Sequence, residues 1–278
     1  MPGTHRVRNP VVPDRLEVWW NPAEPEFVAA ANGVSLMMPS VEPCFVRAVQ
    51  DALRAEPDRI AAELAAEAGW FCAQELAHQS VHRSINAALV AEVPRLAPIE
   101  RWIGRLYRWI TRTRSLRFRL AFAASTEAMA HGMALWVARR PNDMVGVRPG
   151  PTAQLFLWHL AEEVEHKAVA HDVWRAIDTS RVRYGFALLW SLATLVLCAV
   201  PATFVMLASQ RRLRWPVTWW RLTAWALRFL WFVVPVMAGA LSRHHDPRRI
   251  PDPGWYQALL MDRDLGDGAN ADGATGRI

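Results

Sequence analysis

The sequence predicts an all-α protein: a four-helix bundle followed by a C-terminal apolar helical hairpin. Three observations predict it. Two Glu-x-x-His steps, Glu75/His78 and Glu163/His166, each set a carboxylate and an imidazole about one turn apart on a single helix face. Each step follows a lone glutamate, Glu42 or Glu127, by 33 and 36 residues respectively, so each half reads as a helical hairpin. No stretch of useful length shows the alternating period of a strand. The order Glu, Glu-x-x-His, Glu, Glu-x-x-His is what a carboxylate-rich two-metal site inside four helices requires.

The elements follow in order. Residues 1–38 read as an irregular N-terminal arm, with prolines at 2, 10, 13, 22 and 25 around a Trp19-Trp20-Asn21-Pro22 anchor. The bundle occupies 39–180. Its first helix is expected to start at Ser40 as N-cap, tolerate Pro43 in the first turn and run to Ala55. Pro57 is expected to open the second, with Asp58 in its first turn, which carries Glu75 and His78 and runs to Ala91 before Pro94 and Pro98. A basic, Trp-bearing stretch over 99–119 leads into the third helix, through Glu127 to Arg140. Its arginines are either a solvated helix face or lipid contacts. After a loop over 143–151 with two Gly and two Pro, the fourth helix spans Thr152, a candidate cap, to Asp178.

The hairpin occupies 181–245. Residues 185–209 carry no formal charge, and as a helix they would be about 37 Å long, enough to cross a hydrocarbon core. Pro201 should kink them. A second apolar segment over 215–241 mixes Arg221 and Arg228 with Trp215, Trp219, Trp220, Trp225 and Trp231, the composition of a membrane interface. Basic residues flank both ends, so the segment could span or lie within one leaflet. The alternative is that both helices pack on the bundle or on a second subunit in a homodimer. The tail, 246–278, is Gly/Asp/Ala-rich near its end and is expected to be partly disordered.

Composition narrows the partners. The chain of 278 residues is 52% hydrophobic with 15 Trp, more than an ordinary soluble bundle requires. Its formal charge is +6, but the arginines are scattered rather than interleaved with aromatics in one patch. Membrane phospholipid is therefore the expected acidic partner, and nucleic acid is not. Cys44, Cys72 and Cys198 have no metal or disulfide-framework spacing and read as buried thiols. The basic N-terminus has no apolar run, so no signal peptide is expected and the bundle is placed in the cytoplasm or on the cytoplasmic face of the inner membrane. No nucleophile elbow, phosphate loop or dinucleotide fingerprint competes with the metal reading.

The ligand set expected for two divalent cations is Glu42, Glu75, His78, Glu127, Glu163 and His166. Glu75 and Glu163 would bridge, Glu42 and Glu127 would be terminal, and each cation would take one imidazole. Carboxylate with imidazole suits iron, with manganese or zinc as alternatives. A ligating histidine gives its other N–H to an acceptor, and Gln74 and Glu162, beside the two steps, are placed to serve the opposite motif's histidine. His82 lies four residues after His78 and His159 four before Glu163, on the same stripes. They are either further ligands or proton carriers, and with Glu162 they are the candidate catalytic groups. His131, four after Glu127, lines the site or the core; Asp172, off the ligand stripe, is a supporting or capping group.

The segments Gln74-Glu75-x-x-His78-x-x-x-His82-x-x-x-Asn86 and Trp158-His159-x-x-Glu162-Glu163-x-Glu165-His166-Lys167-x-Val169-Ala170-x-Asp172 resemble the bacterial predicted metal-dependent hydrolases. The likeness covers about residues 15–180. It implies a ferritin-like fold and a site built from Glu42, Glu75, His78, His82, Glu127, His159, Glu163 and His166. The family tends to have Gly-Glu where this chain has Val41-Glu42, and Glu-His where it has Glu127-Ala128. The function expected is a dimetal-dependent hydrolase acting on an apolar or lipid-like substrate at the membrane. Carboxylate-rich bundle sites equally suggest a di-iron oxidase or oxygenase using O2. A third reading is a non-catalytic, metal-stabilised membrane module.

Overall fold

The computed structural model describes residues 7, 9–140 and 149–256. Residues 143–148 of the loop expected over 143–151, and the end of the tail expected to be disordered, lie outside them. Among the described residues there is no strand, and the chain is an all-α bundle. Its helices are α1 (Pro25–Ser35), α2 (Met38–Ala55), α3 (Ala62–Glu92), α4 (Ala97–Thr113), α5 (Leu116–Arg139), α6 (Pro151–His166), α7 (Val169–Ile177), α8 (Arg181–Ser209) and α9 (Pro216–Gly239).

Several boundaries differ from the sequence reading for identifiable reasons. Helix α2 starts at Met38, before Ser40, because Pro39 sits in the first turn, where a missing N–H is harmless. Pro57 opens only a short 3-10 turn, Pro57–Arg59, and the long helix begins at Ala62. The basic stretch is a separate helix, α4, with Arg101, Arg105, Arg108 and Arg112 exposed and Ile103, Tyr107 and Ile110 buried on the opposite face. Ser115 caps α5 by accepting the Phe118 N–H at 3.3 Å. The fourth helix is interrupted at Lys167-Ala168 and resumes as α7. Thr152 is not its cap: Gly150 takes that position, and the Thr152 hydroxyl accepts the Glu17 N–H at 2.9 Å.

The larger correction is α1, inside the segment read as an irregular arm. Pro25 begins this helix instead of breaking it. Asn32 and Gly33 look like a turn in sequence but sit within the helix, both buried. The Asn32 amide is satisfied there, accepting from Trp20 Nε1 at 3.2 Å and donating to the Val18 carbonyl at 2.8 Å. Gly33 lets α1 approach α8 closely. A Cβ at this position would stand 2.7 Å from the Ala199 carbonyl oxygen and 3.2 Å from Thr203 Oγ1.

The hydrophobic core is continuous across the 180/181 junction between the expected bundle and hairpin. Tyr184, Leu195, Cys198 and Met206 of α8 and Val233 and Met237 of α9 join the cluster that holds Phe71, Ile85 and Leu120. All three cysteines are buried. Both α8 and α9 are long and apolar enough to cross a membrane; half of the most apolar stretch of α8 is buried against the bundle, against 17% for α9. Helix α9 therefore leaves a broad apolar surface, with Trp220 73% and Trp231 77% exposed.

The Gly33 contact yields a measurable prediction. Gly→Ala inside a helix ordinarily gains up to about 1 kcal/mol, whereas overpacking a fixed backbone costs about 1–3 kcal/mol. Gly33→Ala is expected to lower the denaturant midpoint, because the clash is with backbone that cannot rotate away. An unchanged or raised midpoint would contradict the close α1–α8 approach.

Candidate metal centre

Four helices deliver the polar groups. Glu42 comes from α2; Glu75, His78 and His82 from α3; Glu127 from α5; His159, Glu162, Glu163 and His166 from α6. Spacings of three and four hold each helix's groups on one face. All nine residues are at most 8% exposed. Aromatic edges wall them in: Phe71 meets the His166 ring at 5.0 Å between centroids, and Trp158 meets His78 at 4.9 Å.

The side chains converge in two groups. One donor atom each from Glu75, His78, Glu163 and His166 lie within 4.8 Å of one another, and atoms of Glu42, His82 and His159 satisfy the same limit. In the first group His166 Nε2 is 3.4 Å from Glu75 Oε1, and His78 Nδ1 is 3.9 Å from Glu163 Oε1. In the second, His159 Nδ1 is 3.9 Å from Glu42 Oε1. Glu163 links the two, since its Oε1 also lies 2.9 Å from His159 Nε2. Glu127 belongs to neither group by this measure; its Oε2 sits 3.1 Å from His166 Nδ1.

The supporting contacts are asymmetric. Glu162 Oε2 lies 3.0 Å from His78 Nε2, across the bundle as its position beside Glu163 suggests. Gln74 does not make the matching contact with His166. Its amide donates to Glu165 Oε2 at 2.9 Å, and Glu127 occupies the outer nitrogen of His166 instead. Asp172 lies away from the centre, where Arg248 bridges it to Glu67. His131 is buried with neither ring nitrogen hydrogen-bonded, beside a cavity of about 10 Å³ also lined by Lys167, His171, Tyr184 and His245. That is room for about one water molecule. Ser35 and Glu100, which sequence reasoning missed, hydrogen-bond with Asn86. Ser35 was hidden because its helix was read as part of an irregular arm.

Six donor atoms in this cluster have no hydrogen-bond partner: both oxygens of Glu42, Glu75 Oε1, His78 Nδ1, Glu163 Oε2 and His166 Nε2. Buried polar atoms are paired in more than about 90% of cases, so six convergent lone pairs demand a cause. Divalent cations fit them, being matched to carboxylate oxygen and imidazole nitrogen. Electrostatics agrees. Burial, then mutual repulsion, pushes Glu42, Glu75 and Glu127 well above the usual carboxylate range. Burial also acts to raise Glu163, but His166 and His159 hold it down, to about 2. Burial holds His78 and His82 well below the ordinary imidazole range, and for His78 the neutral ring is the form that ligates a cation.

A family model described as "Predicted metal-dependent hydrolase" matches residues 4–250, and the chain belongs to that family. No curated protein and no solved structure matches the chain.

Two predictions follow from the geometry. Glu163→Gln, at the junction of the two groups, is expected to weaken cation binding by more than about 100-fold, beyond what loss of a supporting contact costs. Asp172→Ala should leave the bound metal unchanged, and elemental analysis of the purified proteins compares them. The second concerns pH in the metal-free protein. Burial depresses His131 to about 4, below its unfolded value of about 6.5, so the unfolded chain binds more protons between those values. Stability should fall as pH drops from 6.5 towards 4. His131→Leu should flatten that slope in chemical denaturation, and an unchanged slope would show that His131 is not its source.

Proposed function

From that membership we propose a dimetal-dependent hydrolase whose centre is held by Glu42, Glu75, His78, Glu127, His159, Glu163 and His166 in a ferritin-like arrangement. The observation that carries this reading is the set of six unpartnered donor atoms converging from α2, α3 and α6. Iron suits the carboxylate-rich set best, with manganese or zinc as alternatives. Bound cations would supply Lewis acidity and make a coordinated water acidic near neutral pH. The chain's own groups do the positioning. Glu162 holds the outer nitrogen of His78 and Glu127 that of His166, which turns Nδ1 of the first and Nε2 of the second inward.

A second reading, an O2-dependent di-iron oxidase or oxygenase, is favoured by a specific observation. The three groups expected to move protons are already engaged: Glu162 with His78, His82 with Ser35 and His159, and His159 with Glu163. A hydrolase needs an acceptor within reach of the attacking water. The substrate proposed for either chemistry is small and apolar or lipid-like, in keeping with the aromatic walls of the centre.

We place this chemistry at a membrane surface, on the cytoplasmic side. Helix α8 turns one flank to the bundle and leaves Phe186, Leu189, Leu197 and Val200 exposed, while α9 leaves Trp219, Trp220 and Trp231 exposed beside its capping residue Trp215. Docking on the bundle favours helices embedded in one leaflet over a detached spanning hairpin.

Elemental analysis with assays on fatty-acyl esters tests the chemistry. Hydrolysis by the metal-loaded protein, lost in Glu163→Ala and insensitive to O2, supports the first reading. Two irons per chain with an optical change on exposure of the reduced protein to O2 supports the second. Metal binding without either activity leaves the non-catalytic module. For the membrane, flotation with anionic phospholipid vesicles is expected to retain the protein, and Trp220→Ser with Trp231→Ser to weaken partitioning at least about 10-fold. Absence from the vesicle fraction, with a stable dimer by light scattering, would assign the apolar face to a second copy.

A further inference from the structure

Resting on the two-cation reading above, we infer that His82 is a positioning residue rather than a ligand: a one-way hydrogen-bond chain from Asn86 through Ser35 and His82 fixes His159 with Nε2 as its cation-facing lone pair.

The direction is set at the far end. Asn86 Nδ2 lies 3.2 Å from the Ser35 carbonyl oxygen and 3.3 Å from Glu100 Oε1. A backbone carbonyl only accepts, so this atom is the amide's NH2 group, and the other side-chain atom, 2.9 Å from Ser35 Oγ, is the oxygen. An amide oxygen cannot donate. The single Ser35 hydroxyl proton is therefore committed to Asn86, and towards His82 the hydroxyl can only accept. His82 Nδ1, 2.7 Å from Ser35 Oγ, must carry the proton.

The rest follows from counting protons. A neutral imidazole has one N–H, so His82 Nε2 bears a lone pair. That atom lies 2.8 Å from His159 Nδ1, which must then be protonated. In a His159 ring that ligates a cation the remaining lone pair is on Nε2, which lies 2.9 Å from Glu163 Oε1 at the junction of the two donor groups. His82 is buried and its hydrogen-bond partners are a hydroxyl and an imidazole, so an imidazolium there would lack the hydrogen-bonded anion that a buried charge requires.

This gives the three inward-facing imidazoles one design. His78 turns its outer nitrogen to Glu162, His166 to Glu127, and His159 to His82. Acceptors of this kind select the tautomer of a ligating histidine. The spacing of His82, four residues after His78, makes it look like a ligand, but both its nitrogens are in use. Ser35 brings α1 into the centre's support, and Glu100 extends the chain to α4.

Nitrogen-15 NMR of the histidine-labelled, metal-free protein reads the tautomers directly. His82 should be protonated at Nδ1 and not at Nε2, and His159 protonated at Nδ1. In the protein loaded with cadmium-113, one-bond coupling is expected to His159 Nε2 and to neither nitrogen of His82. His82→Phe removes the acceptor and should weaken cadmium binding about 10–100-fold, whereas His82→Gln, which keeps an oxygen near the Nε2 position, should recover most of it. Ser35→Ala, a smaller change, should release His82 to populate both tautomers. Cadmium coupling to His82, undiminished binding by His82→Phe, or unaltered His82 and His159 signals in Ser35→Ala would each overturn the inference. A wild-type protein that binds no cadmium would instead remove the two-cation reading on which it rests, whatever tautomers the metal-free protein shows.

Discussion

Five glutamates, Glu42, Glu75, Glu127, Glu162 and Glu163, share one buried volume with four histidines. Ionised carboxylates removed from water are tolerated only when paired, protonated or bound to metal. Imidazoles do part of this work, but burial keeps His78 and His82 from carrying positive charge. Uncompensated charge of this density would oppose folding of the helices that enclose it. Two divalent cations would neutralise four carboxylates and occupy the unpartnered donor atoms together. A metal pair bound there would couple stability to function, since the groups that make the metal-free core costly are those it would use.

The remaining architecture keeps these groups in place. Helices α3 and α6 each contribute a carboxylate and imidazoles from one face, and α2 and α5 add one glutamate each. Around them lies a layer of neutral and acidic acceptors, Glu162, Glu127 and the His82–Ser35–Asn86 chain, which orients the imidazoles. Outside that layer α1 and α8 press together at Gly33 and Ala199, so the segment joining the centre to the apolar C-terminal helices is rigidly packed.

The Glu-x-x-His steps and their leading glutamates were legible in the sequence because helical periodicity is local, and it puts Glu75 and His78 on one face whatever surrounds them. Helix α1 was not legible. Its proline and its Asn-Gly pair are the ordinary marks of turns, and only tertiary contacts (Trp20 and Val18 on Asn32, Ala199 against Gly33) make them compatible with a helix. Gln74 was assigned a partner by symmetry between the two motifs, yet Glu127 already fills that role at His166. His82 shares the ligand stripe, but its neighbours Ser35 and His159 come from distant parts of the chain. Hydropathy marked α8 and α9 as apolar without distinguishing the flank that packs on α1 and α5 from the one left exposed.

On the proposed reading a pair of cations sits where Glu163 joins the two donor groups. Anomalous diffraction from crystals of the protein as purified, collected at the absorption edge of the metal found in it, tests this most directly. Two peaks are predicted, about 3.5–4 Å apart as in other two-metal sites, one beside Glu75, His78 and His166 and the other beside Glu42 and His159. Density for ordered side chains with no anomalous peak at Glu163, in protein prepared with iron, manganese and zinc supplied, would contradict the account.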